Sequence, residues 1–168
     1  PLGSRSFHEA GIKPPPGAKI ASGKYPTVTG LEHDEMGHPT GSPKLHTQMT
    51  AKRREKIKAL GASLPAPEHT GDTAGDVLLV TWGSTWGPGR EAIGRVRAAG
   101  LKAGHMHFRH VHPVPNGLEK TFAGYRKVVV AEINDEGIYG FGQFAMMLRA
   151  RYAMPQIVSV TKTDGLTF

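Results

Sequence analysis

Acidic and imidazole side chains are concentrated in one short segment, EHDEMGHPTGSPKLH at residues 32–46. His33 and His38 stand five positions apart in it, and three acidic residues flank His33: Glu32, Asp34 and Glu35. Such side chains could bind a cation, or could transfer protons beside a substrate. The spacing matches neither H-E-x-x-H nor an EF-hand, and no nucleophile or oxyanion donor accompanies it. The residues alone therefore favour a docking or interdomain loop.

A second histidine-rich segment, HMHFRHVH, covers residues 105–112. Alternate residues of an extended strand share a face, so His105 and His107 point one way and His110 and His112 the other. Four ligands cannot converge from one strand, and a pair could bind a metal only with help from elsewhere. Ordinary strand-end histidines are the simpler interpretation, and a metal site remains an alternative.

The composition excludes several classes of site. The chain has 168 residues and no cysteine, which excludes disulfides, a thiol nucleophile and an iron–sulfur cluster held by these residues. No apolar run approaches the roughly 20 residues that span a bilayer, and no signal peptide is visible, so we expect a cytoplasmic protein without a membrane partner.

The formal net charge of +7 is partly concentrated in KRREKIK at residues 52–58. No aromatic residue interrupts that run, as stacking on single-stranded nucleic acid would require. A solvated helix face, or a face that docks on an acidic partner, is therefore the better interpretation. We expect no nucleic-acid partner.

The chain divides into three parts by composition. Residues 1–4 resemble the scar of a removed expression tag, and residues 5–75 contain an irregular segment rich in Pro and Gly, a basic helix over 42–60 and a linker over 61–76. Residues 76–168 predict an α/β domain. Since the chain stops directly after an apparent strand, we expect that domain to be a truncated piece of a longer protein.

Strand and helix patterns alternate through the α/β domain. Apolar β-rich runs predict four strands, at 76–82, 101–108, 127–133 and 156–162. Helical spacing predicts a helix opening at Pro88, a short one through Leu118 and Phe122, and one over 140–153. Such alternation predicts a mostly parallel sheet with helices on both faces.

Polar residues stand where these strands end, and ligands of open parallel sheets bind at that carboxyl edge. Two helix N-termini, near Gly89 and Tyr139, would point to the same edge. The turn GSTWGPG matches neither G-x-G-x-x-G nor the Walker pattern. The residues at the strand ends are Gly83 and Ser84, His110 and His112, and Glu132 and Asn134.

Three stretches together resemble a known family. They are TGLEHDEMGHPTGSPKLHTQMTAKRREKIKAL, then GDVLLVTWGSTWGPGREAIGRVRAAGLKAGHMHFRHVHPVPNG, then VVVAEIND followed by GFGQFAMMLRARY. In this order they resemble the alpha subunit of 2-oxoacid:ferredoxin oxidoreductases, especially the 2-oxoglutarate type, over residues 24–168. The resemblance implies that the α/β block is the subunit's second domain, similar to the C-terminal domain of transketolases.

The resemblance also implies an activity for the whole enzyme. Thiamine diphosphate adds to the 2-oxo acid, carbon dioxide leaves, electrons pass through an iron–sulfur cluster to ferredoxin, and coenzyme A accepts the acyl group. The diphosphate, its Mg²⁺ and the cluster would belong largely to the beta subunit, and the missing N-terminal domain would complete the active centre. The fragment would bind no cofactor and would be inactive alone, acting in assembly and in completing an interdomain site.

The family pattern E-x-N followed by G-Q maps onto Glu132, Asn134 and Gln143. An insertion, DEGIYGF at 135–141, separates its two halves here. The resemblance implies that the acidic loop docks on the missing domain or partner chain. The expected interface residues are therefore Glu32, His33, Asp34, Glu35, His38, Ser84, His110, His112, Glu132, Asn134 and Gln143, with no catalytic residue.

Two other hypotheses stay open. One is a small metal-binding domain that uses His33 with His38, or His110 with His112. The other is the corresponding domain of another thiamine enzyme, a transketolase or a 2-oxoacid dehydrogenase beta chain, from which the upstream EHDEMGH segment would distinguish this chain.

Overall fold

The structure is a computed structural model that describes residues 30–34, 38–166 and 168. It divides into two compact units, and the boundary lies between Ser63 and Leu64. Nearly all of the irregular segment predicted over residues 5–30 lies outside the described residues.

In the first unit, a short looped segment leads into one long helix, α1 (Pro43–Ser63). The amide of Leu45 donates to Ser42 Oγ at 3.4 Å, as a helix cap does, and the helix runs three residues beyond the predicted end at Leu60. The apolar residues of α1 form a thin stripe of Leu45, Met49, Ile57 and Leu60. Met49 is buried, whereas Ile57 and Leu60 are 38% and 40% exposed. A single-sided stripe as thin as this leaves most of α1 in solvent.

The described residues of the second unit form five strands and three helices. Two 3-10 turns, Gly83–Thr85 and Gly137–Tyr139, follow β2 and β4. The elements in chain order are β1 (Glu68–Gly71), β2 (Gly75–Trp82), α2 (Trp86–Ala98), β3 (Ala103–Phe108), α3 (Glu119–Ala123), β4 (Tyr125–Glu132), α4 (Gln143–Tyr152) and β5 (Ile157–Thr161).

The five strands form one sheet in the order β1-β3-β2-β4-β5. The pairs β2–β3, β2–β4 and β4–β5 are parallel, whereas β1 pairs antiparallel with β3. The predicted mostly parallel α/β fold is thus confirmed.

The linker prediction for 61–76 was wrong over Glu68–Gly71, which form the antiparallel edge strand β1. The stretch EHTG has no apolar run to indicate a strand. It joins the sheet through backbone pairing, with Glu68 opposite His107 and Gly71 opposite Gly104. An edge strand has one neighbour only, so its side chains can stay polar.

Helices cover both faces of the sheet. On one face α3 and α4 pack over the strands through a core that includes Leu78, Val80, Phe122, Val130 and Leu148. Thr81 is adjacent to Val80 and therefore faces the other side, where α2 lies. A Cβ on Gly89 of α2 would stand 2.9 Å from Thr81 Cγ2 and 2.8 Å from His105 Nε2, so α2 sits directly on that face.

Two helix starts differ from the predictions. Helix α2 begins at Trp86, two residues before Pro88, because the turn at Gly83–Thr85 leads straight into it. Helix α4 begins at Gln143 because Gly140 adopts a left-handed conformation (φ 66°) that ends the preceding turn. No helix in the described ranges is long and apolar enough to cross a membrane.

Candidate functional site

Glu132, the last residue of β4, lies completely buried at the carboxyl edge of the sheet. Its Oε2 accepts from the amide of Phe144 at 3.0 Å and from Asn134 Nδ2 at 3.1 Å. Its Oε1 accepts from the amide of Ala145 at 2.9 Å. The first amides of a helix have no partner within the helix, so this carboxyl group satisfies two of them and fixes α4 to the end of β4.

Gly142 makes that anchor possible. A Cβ at this position would overlap Glu132 Oε1 and would stand 3.2 Å from Asn134 Oδ1. Its amide donates to Ser159 Oγ at 2.8 Å, which ties the same turn to β5. The Gln143 side chain is exposed, and Asn134 Oδ1 is buried without a hydrogen-bond partner in the described part of the chain. The E-x-N and G-Q residues therefore build the rim of the sheet.

The other expected strand-end residues are all exposed: Ser84, His110 and His112. A cleft of about 250 Å³ opens beside the end of β3, between the Pro65–Glu68 segment and the Phe108–His110 segment. His107, directly before the second of these segments, also lines the cleft. The structure thus places polar groups at the carboxyl edge, although it does not bring Ser84, His110 and Glu132 into one cluster of mutual hydrogen bonds.

A buried polar cluster on the α2 face was not predicted from the sequence. Thr81 Oγ1 lies 2.6 Å from His105 Nε2 and 2.9 Å from His107 Nδ1. Burial lowers the pKa of His105 to about 4, with the neighbouring His107 adding to the effect, and burial lowers the pKa of His107 as well. The shared face of His105 and His107 followed from strand parity, but the hydroxyl between them depends on the β2–β3 register, which pairs Thr81 with His107.

In the first unit, the Glu32 carboxylate is held within its own chain. Arg53 of α1 donates to both oxygens, at 2.6 and 3.1 Å, and His46 Nδ1 lies 2.7 Å from Oε2. The Arg53 guanidinium holds the pKa of Glu32 at about 2, and the bond to His46 acts in the same direction. Arg53 interrupts the apolar stripe of α1, and its bonds to Glu32 hold the loop against the helix.

Asp34 and His38 close the turn of this loop. Asp34 Oδ1 accepts from the His38 amide at 2.9 Å, and the Asp34 amide donates to the His38 carbonyl at 2.9 Å. His33 Nδ1 lies 2.7 Å from the carbonyl of Asp34. Glu35, also expected at the interface, lies outside the described residues.

The arrangement of these clusters does not support the hypothesis of a metal-binding domain. Among the residues that the structure describes, no three His, Cys, Asp or Glu side chains come together as metal ligands. In the acidic loop, Glu32 instead forms an ion pair with Arg53. His110 and His112 are exposed at the surface.

Comparison with known proteins gives a consistent result. The family model for the pyruvate:ferredoxin oxidoreductase core domain II matches residues 75–166. The chain is 35% identical over 152 residues to the 2-oxoglutarate oxidoreductase subunit KorA of Mycobacterium tuberculosis, covering 85% of this chain and 22% of that protein. It is 35% identical over 161 residues to the 2-oxoacid:ferredoxin oxidoreductase 2 subunit alpha of Aeropyrum pernix, covering 94% of this chain and 24% of the relative.

A solved structure is similar over almost the whole chain. It is the 2-oxoglutarate:ferredoxin oxidoreductase from Magnetococcus marinus, described with 2-oxoglutarate, coenzyme A and succinyl-CoA bound. The TM-score is 0.76 at 33% identity, over 95% of this chain and 27% of that one. The chain therefore spans about a quarter of the length of each of these three proteins.

Proposed function

The chain belongs to the 2-oxoacid:ferredoxin oxidoreductase alpha-subunit family, through the segment that matches the pyruvate:ferredoxin oxidoreductase core domain II, and we propose that it helps to assemble and complete the active centre of a 2-oxoglutarate-type enzyme. The family match over residues 75–166 carries this proposal. The resemblance stated from the sequence motifs is confirmed at the level of the family.

The complete enzyme, in this proposal, converts a 2-oxo acid to an acyl-CoA and passes the electrons to ferredoxin. Bound 2-oxoglutarate and succinyl-CoA in the Magnetococcus marinus enzyme support 2-oxoglutarate as the substrate. When bound in the assembly, thiamine diphosphate with Mg²⁺ supplies the carbanion chemistry and an iron–sulfur cluster accepts the electrons. This chain has no cysteine to hold a cluster, so in this proposal the cluster lies on another part of the complex. Thiamine diphosphate and its Mg²⁺ are assigned largely to the beta subunit, and the rest of the alpha subunit would complete the active centre.

The chain's own contribution would be to present two shaped surfaces. One is the carboxyl edge of the sheet, where Glu132 fixes the start of α4 and keeps the turn at Gly142 in place. The other is the loop of residues 30–34 and 38–42 with α1, which Glu32 and Arg53 hold together. The eleven expected interface residues named from the sequence remain part of this proposal, as does a cytoplasmic location.

Hydrogen exchange tests the assembly role directly. The chain is mixed with the beta subunit and with the remainder of the alpha subunit, and amide exchange in α1 and in residues 132–143 is followed by mass spectrometry. Both segments should exchange more slowly in the complex, because docking removes their surfaces from water. Formation of the complex without protection in either segment would contradict the assembly role, and absence of any complex would contradict the family role itself.

A further inference from the structure

Two large apolar side chains stand together in solvent at the carboxyl edge of the sheet. Ile138 is 91% exposed and Tyr139 is 73% exposed, in the turn that follows β4. Among the described residues, no hydrogen bond or ring contact engages the Tyr139 side chain. Single exposed apolar residues are common, but two adjacent ones form a larger continuous apolar surface, and Tyr is enriched among the residues that dominate binding energy at interfaces.

The loop that carries the pair is held in a defined shape. Asp135 Oδ1 accepts from the Gly137 amide at 2.7 Å, and the Phe141 amide donates to the Glu136 carbonyl at 3.0 Å. Gly137 and Gly140 both adopt left-handed conformations, with φ of 58° and 66°. Those glycines permit the tight 3-10 turn, since larger side chains would strain it.

The base of the loop is anchored to the domain on both sides. Phe141 is partly buried against the core, and the Arg149 guanidinium lies 5.1 Å from its ring centre. On the other side, Asn134 Nδ2 donates to Glu132, which in turn accepts from the Phe144 amide of α4. A loop fixed at its base loses little conformational entropy when its tip is buried.

The charge around the tip is opposite to that of the whole chain. Asp135 and Glu136 precede the pair, and residues 135–141 contain no Lys, Arg or His. The chain as a whole carries +7. An acidic flank beside an apolar tip is complementary to an apolar recess with a basic rim.

We propose that Ile138 and Tyr139 form a docking knob that inserts into an apolar recess with a basic rim on the beta subunit. This inference rests on the proposed function, which directs the carboxyl edge toward the rest of the assembly. The relatives are described as subunits, so a second polypeptide belongs to their assembly. A second copy of this chain is the competing occupant.

The test compares a knob variant with a matched surface variant. I138S/Y139S removes both apolar side chains at the carboxyl edge. L101S removes an apolar side chain, 44% exposed, that precedes β3 at the opposite edge of the sheet. The affinity of each variant and of the unchanged chain for the purified beta subunit is measured by isothermal titration calorimetry, and circular dichroism with thermal melting checks folding.

The knob variant should keep its melting temperature and bind the beta subunit at least about tenfold more weakly, while L101S binds like the unchanged chain. D135N/E136Q should bind more slowly and with a weaker dependence on salt, because the basic rim loses its counterpart. Equal affinities for I138S/Y139S and L101S would overturn the knob and leave the family role standing.

Two further outcomes also decide the proposal. Failure of the unchanged chain to bind the purified beta subunit would overturn the knob, whereas failure to form a complex even with the rest of the alpha subunit present would overturn the proposed function as well. Self-association of the unchanged chain in sedimentation velocity, lost in I138S/Y139S, would assign the knob to a second copy and overturn the beta-subunit proposal.

Discussion

At the scale of single residues, Glu132 shows why a polar strand end need not be a reaction centre. The prediction from the sequence that it lies at the carboxyl edge is correct. Its carboxyl group, however, accepts hydrogen bonds from two backbone amides of α4 and from Asn134. These hydrogen bonds can form because Gly142, ten residues further along the chain, has no side chain and approaches the carboxyl group closely. That approach depends on the tertiary structure, and no local sequence pattern predicts it.

Substitution Glu132→Gln should destabilise the domain by about 2–3 kcal/mol, because hydrogen bonds that involve buried charged or polar groups are costly to break. Both carboxyl oxygens accept from N–H groups, so either orientation of the Gln amide sets an NH₂ against a donor. Urea unfolding measures the change. The exposed neighbour variant Glu136→Gln serves as control and should change the free energy of unfolding by less than about 0.5 kcal/mol. Equal stability of the two variants would contradict the anchor.

Gly142 and Gly94 allow a comparison with opposite expected signs. Gly142 has φ of −60°, which alanine adopts freely, so Gly142→Ala tests the close approach to Glu132 and Asn134 without backbone strain and should cost about 1–3 kcal/mol. Gly94 lies in the exposed middle of α2 with open space around it, so Gly94→Ala should add up to about 1 kcal/mol. Thermal melting measures both variants, and a stable Gly142→Ala protein would refute the close approach.

The Glu32–Arg53 pair makes a prediction about pH. Its lowered folded pKa, about 2, means that the interaction is fully present above the ordinary pKa of 4.5 and is lost as the pH falls toward 2. Carbon NMR of the Glu32 carboxyl group should show titration near pH 2 in the unchanged chain. In Arg53→Gln the midpoint should move up toward the ordinary value, and an unmoved midpoint would show that Arg53 is not the cause.

At the scale of elements, strong patterns predicted most of the second unit. The apolar runs DVLLVTW and KVVVAEI gave β2 and β4 to within two residues, and the stripe of Phe144, Ala145 and Leu148 gave α4. The edge strand β1 was missed because EHTG has neither apolar alternation nor β-branched enrichment. Its pairing with β3 follows from the position of the sheet edge, which local sequence does not encode.

The packing of α2 on β2 and β3 should depend on the protonation of His105. Burial lowers its pKa to about 4, below the ordinary 6.5, so the unfolded chain binds the proton more readily. Stability is therefore fully present above pH 6.5 and decreases as the pH falls from 6.5 toward 4. Chemical denaturation at pH 7.5 and 5 should show this loss, and His105→Gln should show a smaller difference between the two pH values. The exposed His112→Gln variant should behave like the unchanged chain; if His105→Gln does too, His105 is not the titrating group.

At the scale of the whole molecule, the sequence motifs gave the family, and the structure gave the surfaces. The ordered motifs between residues 29 and 152 were specific enough to identify the alpha-subunit family, which the relatives at 35% identity confirm. The exposure of Ile138 and Tyr139 could not be predicted from the sequence, because the local pattern DEGIYGF does not distinguish an apolar pair that packs on the domain from one that faces solvent. Only the fold shows that a left-handed Gly140 separates the tip from α4.

We propose that this chain completes a 2-oxoglutarate:ferredoxin oxidoreductase whose other parts are inactive without it. The direct measurement is ferredoxin reduction by 2-oxoglutarate and coenzyme A, using the beta subunit and the rest of the alpha subunit with and without this chain. The account predicts that reduction requires the added chain and is slower with pyruvate than with 2-oxoglutarate. Full activity without the chain, or no activity in a complex that contains it, would contradict the account.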